Sequence, residues 1–243
     1  MQDVMNTGRG DENWIEVPKG YRTGKIWSPQ IGDIFPNFSA MSTKGEMAFH
    51  NWAEGRWIYL FSHPAAFTPI CTTELASLAE MQPDFERAGV AVVGLSVGMP
   101  DDTARWVEDV ERIFGLKIVF PVVSDPDGRL SRAMGLIHPK NDKDCTIRKS
   151  FIIDPALRVR MMLDYPAFVG RSSEEVLRAI EALQMADRTG LAVPADWQPG
   201  DDLLARPGEN DDADLDARYG EGWTRLSRYL KVVHTDAAER SCD

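Results

Sequence analysis

Cysteine is scarce in this chain: three in 243 residues, at Cys71, Cys145 and Cys242. Three thiols cannot all pair within one chain, which excludes a closed disulfide framework. They are too few for a four-thiolate zinc site, and none stands in a C-x-x-C pair. The four histidines (His50, His63, His138, His234) form no H-E-x-x-H pattern, so neither a structural nor a catalytic metal is expected. Positive charge is also in deficit, 27 basic against 38 acidic residues for a net of -11. Such a surface repels phosphate backbones and anionic headgroups, arguing against nucleic acid and membrane partners. No apolar run approaches the ~20 residues of a membrane helix. The opening MQDVMNTGRGDENW lacks the charged-then-apolar order of a secretory signal, which leaves the cytoplasm as the default location.

What is present is enough apolar residue, 43%, for a sizeable core. Residues 1–28 are polar and Gly-rich and read as a loose N-terminal arm. Residues 29–188 alternate between two periods. β-rich runs stand at Trp57–Phe61, Val90–Val97, Ile118–Val123, Phe151–Ile153 and Val159–Leu163. Helical patterns stand at Pro69–Ala88, Asp101–Phe114 and Ser172–Arg188, with a break expected near Gln82 because Pro83 interrupts the first. Strands alternating with helices predict an α/β sandwich on a central sheet. The Asp154-Pro155 turn makes the last two strands an antiparallel hairpin, so the sheet is expected to be mixed. Residues 189–243 change character: Pro194, Pro199, Pro207 and a run of aspartates between Asp196 and Asp216 read as an extended, weakly structured arm. Trp197, Trp223 and Tyr229 give that arm more aromatic surface than a solvated tail carries, and a partner subunit is the expected cover.

The stretch richest in chemistry is Arg56–Ala79, RWIYLFSHPAAFTPICTTELASLA. A buried strand runs through a short loop into a helix. Thr68 suits the N-cap and Pro69 the first helical position. Cys71 then falls in the first turn, with Leu75, Leu78 and Ala79 on the apolar face behind it. Unpaired N–H groups and the helix dipole favour a thiolate there. A free thiol has a pKa of ~8.5, and depressing it by ~2 units would take about 2.7 kcal/mol. The helix start alone supplies less, and an arginine nearby would provide the remainder. These residues leave two readings open: a reactive thiol, or an inert buried one.

Pro64-Ala65-Ala66-Phe67-Thr68-Pro69-Ile70-Cys71 resembles the peroxiredoxin signature P-x-x-x-T/S-x-x-C. The longer FSHP–FTPICTTEL run resembles the one-cysteine subgroup of that AhpC/TSA superfamily. The likeness continues through TIRKSFIID around Arg148, DYPAFVGRSSEEVLRAIEALQ and VPADWQPGD, spanning about residues 29–203 in order. The resemblance implies a thioredoxin-like fold, a mixed sheet flanked by helices, with the C-terminal segment as a dimerisation arm or small domain. It implies a thiol-dependent peroxidase in antioxidant defence, reducing hydrogen peroxide or small organic hydroperoxides without a cofactor. Cys71 would be the peroxidatic nucleophile and pass through a sulfenic acid. Thr68 would orient thiolate and peroxide, Pro64 would shield the sulfur, and Arg148 would stabilise the thiolate and the departing oxygen. Arg171 resembles the second arginine of the site, and Glu74 would hold the arginine pair. His63 would either face the site or bond a loop carbonyl.

Some members of the subgroup are credited with a phospholipase activity, attributed to a serine seven positions before the histidine of S-H-P and a later aspartate. Those positions here are Arg56 and Ala156, so that activity is not expected. Three routes remain for resolving the sulfenic acid: an external thiol, Cys242 or Cys145. The family also implies a homodimer or decamer. A redox-dependent chaperone or signalling partner on the same fold is the competing function. A thioredoxin-type disulfide reductase would need a C-x-x-C at Cys71, where the chain has none.

Overall fold

The most apolar runs of the chain become its innermost strands. The computed structural model describes residues 3–4, 14–17, 28–137, 145–208 and 211–241. They fall into two units, Met1–Ser173 and Glu174–Asp243.

In the first unit the strands are β1 (Asp3–Val4), β2 (Trp14–Val17), β3 (Phe38–Ser42), β4 (Gly45–Ala48), β5 (Trp57–Ser62), β6 (Val90–Ser96), β7 (Val122–Ser124), β8 (Arg148–Ile153) and β9 (Val159–Tyr165). They make one sheet ordered β1-β2-β3-β7-β6-β5-β8-β9, with β4 also on β3. β5, β6 and β7 run parallel, whereas β8 lies antiparallel on β5 and forms a hairpin with β9. The sheet is therefore mixed, as expected. The helices are α1 (Phe49–Ala53), α2 (Pro69–Glu80), α3 (Gln82–Arg87), α4 (Pro100–Phe114) and α5 (Arg129–Ala133). The expected break near Gln82 falls at Met81, between α2 and α3, with Pro83 in the first turn of α3 where its missing N–H costs nothing.

Strand alternation sorts the side chains onto two faces. Ile58, Leu60, Val93, Leu95, Phe151 and Ile153 join Phe35, Phe38 and Phe49 in one core. Phe38 stacks on Phe49 with ring centroids 4.9 Å apart, and Phe35 meets Phe151 edge-on at 5.1 Å. Fully burying each such ring contributes roughly 1.5–3 kcal/mol. The alternate residues, Tyr59, Phe61 and Ser150, point to the other face, and it is there that Cys71 lies.

Several expectations need correction. The strand read at Ile118–Val123 shrinks to Val122–Ser124. Pro121 has no N–H to give a ladder, and the Ile118 N–H is taken by Glu111 Oε1 at 2.9 Å. The N-terminal arm is not wholly loose, because Trp14–Val17 pairs with β3 and Asp3–Val4 pairs with it in turn; the rest of that arm lies outside the described residues. The hairpin of β3 and β4, and the short α1 and α5, carried too little periodicity to be read from sequence.

The largest correction concerns the C-terminal segment. The second unit holds α6 (Ser173–Thr189) from its second residue on, then β10 (Leu203–Leu204), α7 (Asp212–Tyr219), β11 (Trp223–Arg225), β12 (Lys231–Val233) and α8 (Thr235–Arg240). Its three strands form a second sheet ordered β10-β12-β11. Trp197 packs with Leu191, Leu203, Leu215, Tyr219 and Val233 in a core of its own, with 2% of Trp197 exposed. Trp197 is thus buried within the segment itself, whereas Trp223 is half-buried and Tyr229 is exposed. The aspartates that suggested disorder open a helix: Asp211 caps α7 by accepting the Asp214 N–H at 2.9 Å, and Asp212 and Asp214 sit in its first turn. No helix of the described residues is long and apolar enough to cross a membrane.

Candidate active site

α2 starts where the chain leaves β5 and reverses. Phe67 takes a left-handed φ of 57°, a conformation costing of order 1–3 kcal/mol for a non-glycine residue. Thr68 follows in an extended conformation at the N-cap, Pro69 opens the helix, and Cys71 is its third residue. The Thr68 hydroxyl does not cap, contrary to expectation: it donates to the Ala65 carbonyl at 2.9 Å and ties the loop to the helix start. The Cys71 side chain is fully buried. Ala79, expected on the buried face with Leu75 and Leu78, is only half-buried; Ala76 occupies that face instead.

β8 delivers the cation. Arg148 is its first residue and is 3% exposed. Its NH1 donates to Cys71 Sγ at 3.3 Å and to Glu74 Oε2 at 2.7 Å, while Nε donates to the Ala167 carbonyl at 3.0 Å. Glu74, one turn after Cys71, grips the second arginine in a fork: Arg171 Nε to Oε1 and NH2 to Oε2, both at 2.9 Å. The Arg171 backbone N–H adds a third bond to this carboxylate, at Oε1 and 2.9 Å. Both guanidiniums and the carboxylate are buried. Two cations against one anion leave one positive charge unmatched in a low-dielectric interior. The Cys71 sulfur lies beside that charge, 3.3 Å from Arg148.

His63 follows β5 and lies fully buried, its ring 4.9 Å from that of Trp106. It bonds no loop carbonyl, since neither ring nitrogen has a partner among the described residues. Burial, reinforced by the charges of Arg171 and Arg148, pushes its pKa down to about 3. At neutral pH it is an uncharged imidazole and no acid for a leaving group. Its backbone carbonyl accepts the Thr146 hydroxyl at 2.8 Å. Cys145, beside Thr146, is half-buried, Pro64 is half-buried next to His63, and Cys242 lies outside the described residues.

The sequence reading missed four contributors. The Ala167 carbonyl orients Arg148, Trp106 donates to Thr72 Oγ1 at 3.0 Å, and Ser150 and Tyr59 stand behind Arg171. The one signal for Ser150 was its place two residues after Arg148, on the same strand face.

A strand-to-helix turn with a buried cysteine under an arginine has close counterparts. Residues 31–162 match the model of the AhpC/TSA family, and residues 182–222 match that of the C-terminal domain of 1-Cys peroxiredoxin. The chain belongs to the peroxiredoxin family. It is 36% identical over 204 residues to a 1-Cys peroxiredoxin of Dictyostelium discoideum, covering 84% of each chain. The structure of a yeast mitochondrial 1-Cys peroxiredoxin, solved for its thiol resolving mechanism via glutathione/thioredoxin systems, superposes with a TM-score of 0.79. It is 33% identical and covers 84% of this chain and 98% of the other. A cysteine-to-serine mutant of peroxiredoxin 6 from Arenicola marina gives the same TM-score and identity, over 84% of this chain and 97% of its own. The thioredoxin-like mixed sheet is thereby that of the peroxiredoxins, with the C-terminal small sheet beyond it. As a peroxiredoxin, the chain is a thiol-dependent peroxidase, an oxidoreductase with an antioxidant role.

Proposed function

We propose that Cys71 is the peroxidatic nucleophile of this enzyme and that hydrogen peroxide or a small organic hydroperoxide is its substrate. The observation that carries this reading is the Arg148 guanidinium, 3.3 Å from a buried Cys71 sulfur and itself held by Glu74. The thiolate attacks the distal peroxide oxygen. The O–O bond breaks, sulfur and that oxygen become the sulfenic acid, and the departing oxygen takes a proton to leave as water or an alcohol. Arg148, with charge that cannot be titrated away, stabilises the sulfur before attack and the oxygen as its charge develops. Thr68, tied to Ala65, orients the peroxide over the sulfur, and Pro64 limits access of bulk water. Glu74 and Arg171 hold Arg148 in place. The neutral His63 packs between Phe61 and Trp106.

An external thiol closes the cycle: its sulfur attacks the sulfenic acid to give a mixed disulfide and water, and a second thiol releases Cys71. The yeast relative's thiol resolving mechanism via glutathione/thioredoxin systems supports this route over Cys242 or Cys145. Mass spectrometry of peroxide-treated protein without reductant decides it, and a peptide linking Cys71 to either other cysteine would overturn it. A homodimer or decamer fits the sheet, because β9 ends the strand order and no described strand pairs with its outer edge; sedimentation tests this. A cytoplasmic location is proposed because a peroxidatic Cys71 must be returned to the thiol, which a reducing compartment favours; localisation to mitochondria would refute it. Phospholipase activity is not expected, since Arg56 and Ala156 stand where it would need a serine and an aspartate.

Stopped-flow oxidation of Cys71 tests the whole reading. A rate rising linearly with peroxide, abolished in Cys71→Ser, is the expected result. Unchanged peroxide consumption by Cys71→Ser would defeat it.

A further inference from the structure

Tyr59 is a buried polar side chain that the reaction as described does not use. It lies on β5, two residues before Phe61 and on the same sheet face. In the β5–β8 register, Phe61 stands opposite Ser150 and Tyr59 opposite Ile152. Tyr59 and Ser150 are therefore diagonal neighbours, and their hydroxyls share a hydrogen bond of 3.1 Å. Ser150 Oγ in turn accepts from Arg171 NH1 at 3.0 Å. A second path runs through the rings: Tyr59 stacks on Phe61 at 5.6 Å, and the Arg171 guanidinium lies 5.2 Å over the Phe61 ring. Phe85 of α3 stacks on Tyr59 at 6.2 Å and completes its packing.

We propose that Tyr59 is a positioning residue for the peroxidase reaction. Through Ser150 and Phe61 it holds the Arg171 guanidinium at the angle that lets Glu74 align Arg148 on Cys71. The inference rests on Cys71 being the peroxidatic nucleophile.

Four side-chain bonds fix the Arg171 guanidinium: two to Glu74, one to the Lys149 carbonyl and one to Ser150. Of these acceptors, only Ser150 Oγ rotates freely, since the carbonyl belongs to the strand ladder and the carboxylate is already forked. The Tyr59 hydroxyl removes that freedom. Burial pushes the phenol pKa up, so it remains a neutral hydrogen-bonding group across the working pH range. A carboxylate gripping two arginines transmits any tilt of one to the other, and a bond at the sulfur is sensitive to small displacements.

The test uses the full chain with Tyr59→Phe, which removes one oxygen, together with Ser150→Ala, the double variant and Ser150→Thr. The readouts are the second-order rate constant for Cys71 oxidation by hydrogen peroxide across about pH 5 to 9, and thermal unfolding. Each of the first two variants is expected to slow oxidation by about three- to tenfold, the loss of one neutral hydrogen bond felt at the site. The double variant should be no slower than the worse single one, because both act through one chain of contacts. Ser150→Thr, which keeps the hydroxyl, should stay within about twofold of the parent. Lowered thermal stability with an unchanged rate constant at every pH would overturn the proposal, leaving Tyr59 a core residue. Additive losses in the double variant would also overturn it. If Tyr59→Phe does not fold, Ser150→Ala alone decides. Dimedone labelling of the parent separates the two readings, since failure to trap a sulfenic acid at Cys71 condemns the nucleophile assignment and not this one.

Discussion

Replacing His63 with phenylalanine should flatten the acid side of the stability curve. The parent histidine has a pKa of about 3 in the folded protein, depressed first by burial and then by Arg171 and Arg148. In the unfolded chain it returns to about 6.5. Between those values the unfolded chain binds a proton that the folded protein refuses, so stability is full above pH 6.5 and falls as the pH drops toward 3. At 1.36 kcal/mol per unit, the loss from this one group is about 2 kcal/mol at pH 5 and on the order of 5 kcal/mol by pH 3. Phenylalanine cannot titrate. It also changes packing between Phe61 and Trp106, at a cost of about 1–3 kcal/mol, but that cost does not vary with pH. Carboxylates shared by both proteins cancel in the difference, including the buried Asp125, whose pKa burial raises. Urea unfolding of parent and His63→Phe at pH 7.5, 6 and 5, followed by circular dichroism, gives that difference directly. The gap between them should move by about 2 kcal/mol in favour of the variant from pH 7.5 to 5. A gap independent of pH would refute the claim that His63 is buried, neutral and crowded by two cations.

Glu74→Gln keeps the shape but leaves two buried guanidiniums without a carboxylate. Unfolding free energy should fall by about 3–5 kcal/mol, and a loss below about 1 kcal/mol would mean water reaches the pair. Arg148→Lys keeps the charge but not the three-way reach to Cys71, Glu74 and the Ala167 carbonyl, and should slow Cys71 oxidation by roughly 10²- to 10³-fold in stopped-flow. Trp197→Ala empties the core of the second unit and should cost about 3–5 kcal/mol in denaturant unfolding, which a segment without its own core would not show.

Local chemistry was legible wherever one stretch of chain carried it all. The turn from β5 into α2 is written in Thr68, Pro69 and the apolar spacing behind Cys71, and the break at Met81 in Pro83. These depend on backbone sterics and helix capping within a few residues, which sequence records directly. The Thr68 hydroxyl escaped the same reasoning because the nearer Ala65 carbonyl competed for it. The aspartates of 196–216 misled because a charge run looks alike whether it solvates a tail or opens a helix. Only packing distinguishes the two, and Trp197 needed Leu203, Leu215 and Val233, from separate elements, to become buried.

The sequence by itself determined that a cysteine would sit in a first helical turn, with strands alternating around it. What only the tertiary structure decided is the charge balance. Cys71 and Glu74 share a helix, but Arg148 is 77 residues away from the sulfur it touches, and Arg171 lies 97 from its carboxylate. No local propensity couples such distant positions. The sheet brings in the first by laying β8 antiparallel on β5, and the segment after β9 brings in the second, so that two buried cations meet one carboxylate beside the thiol.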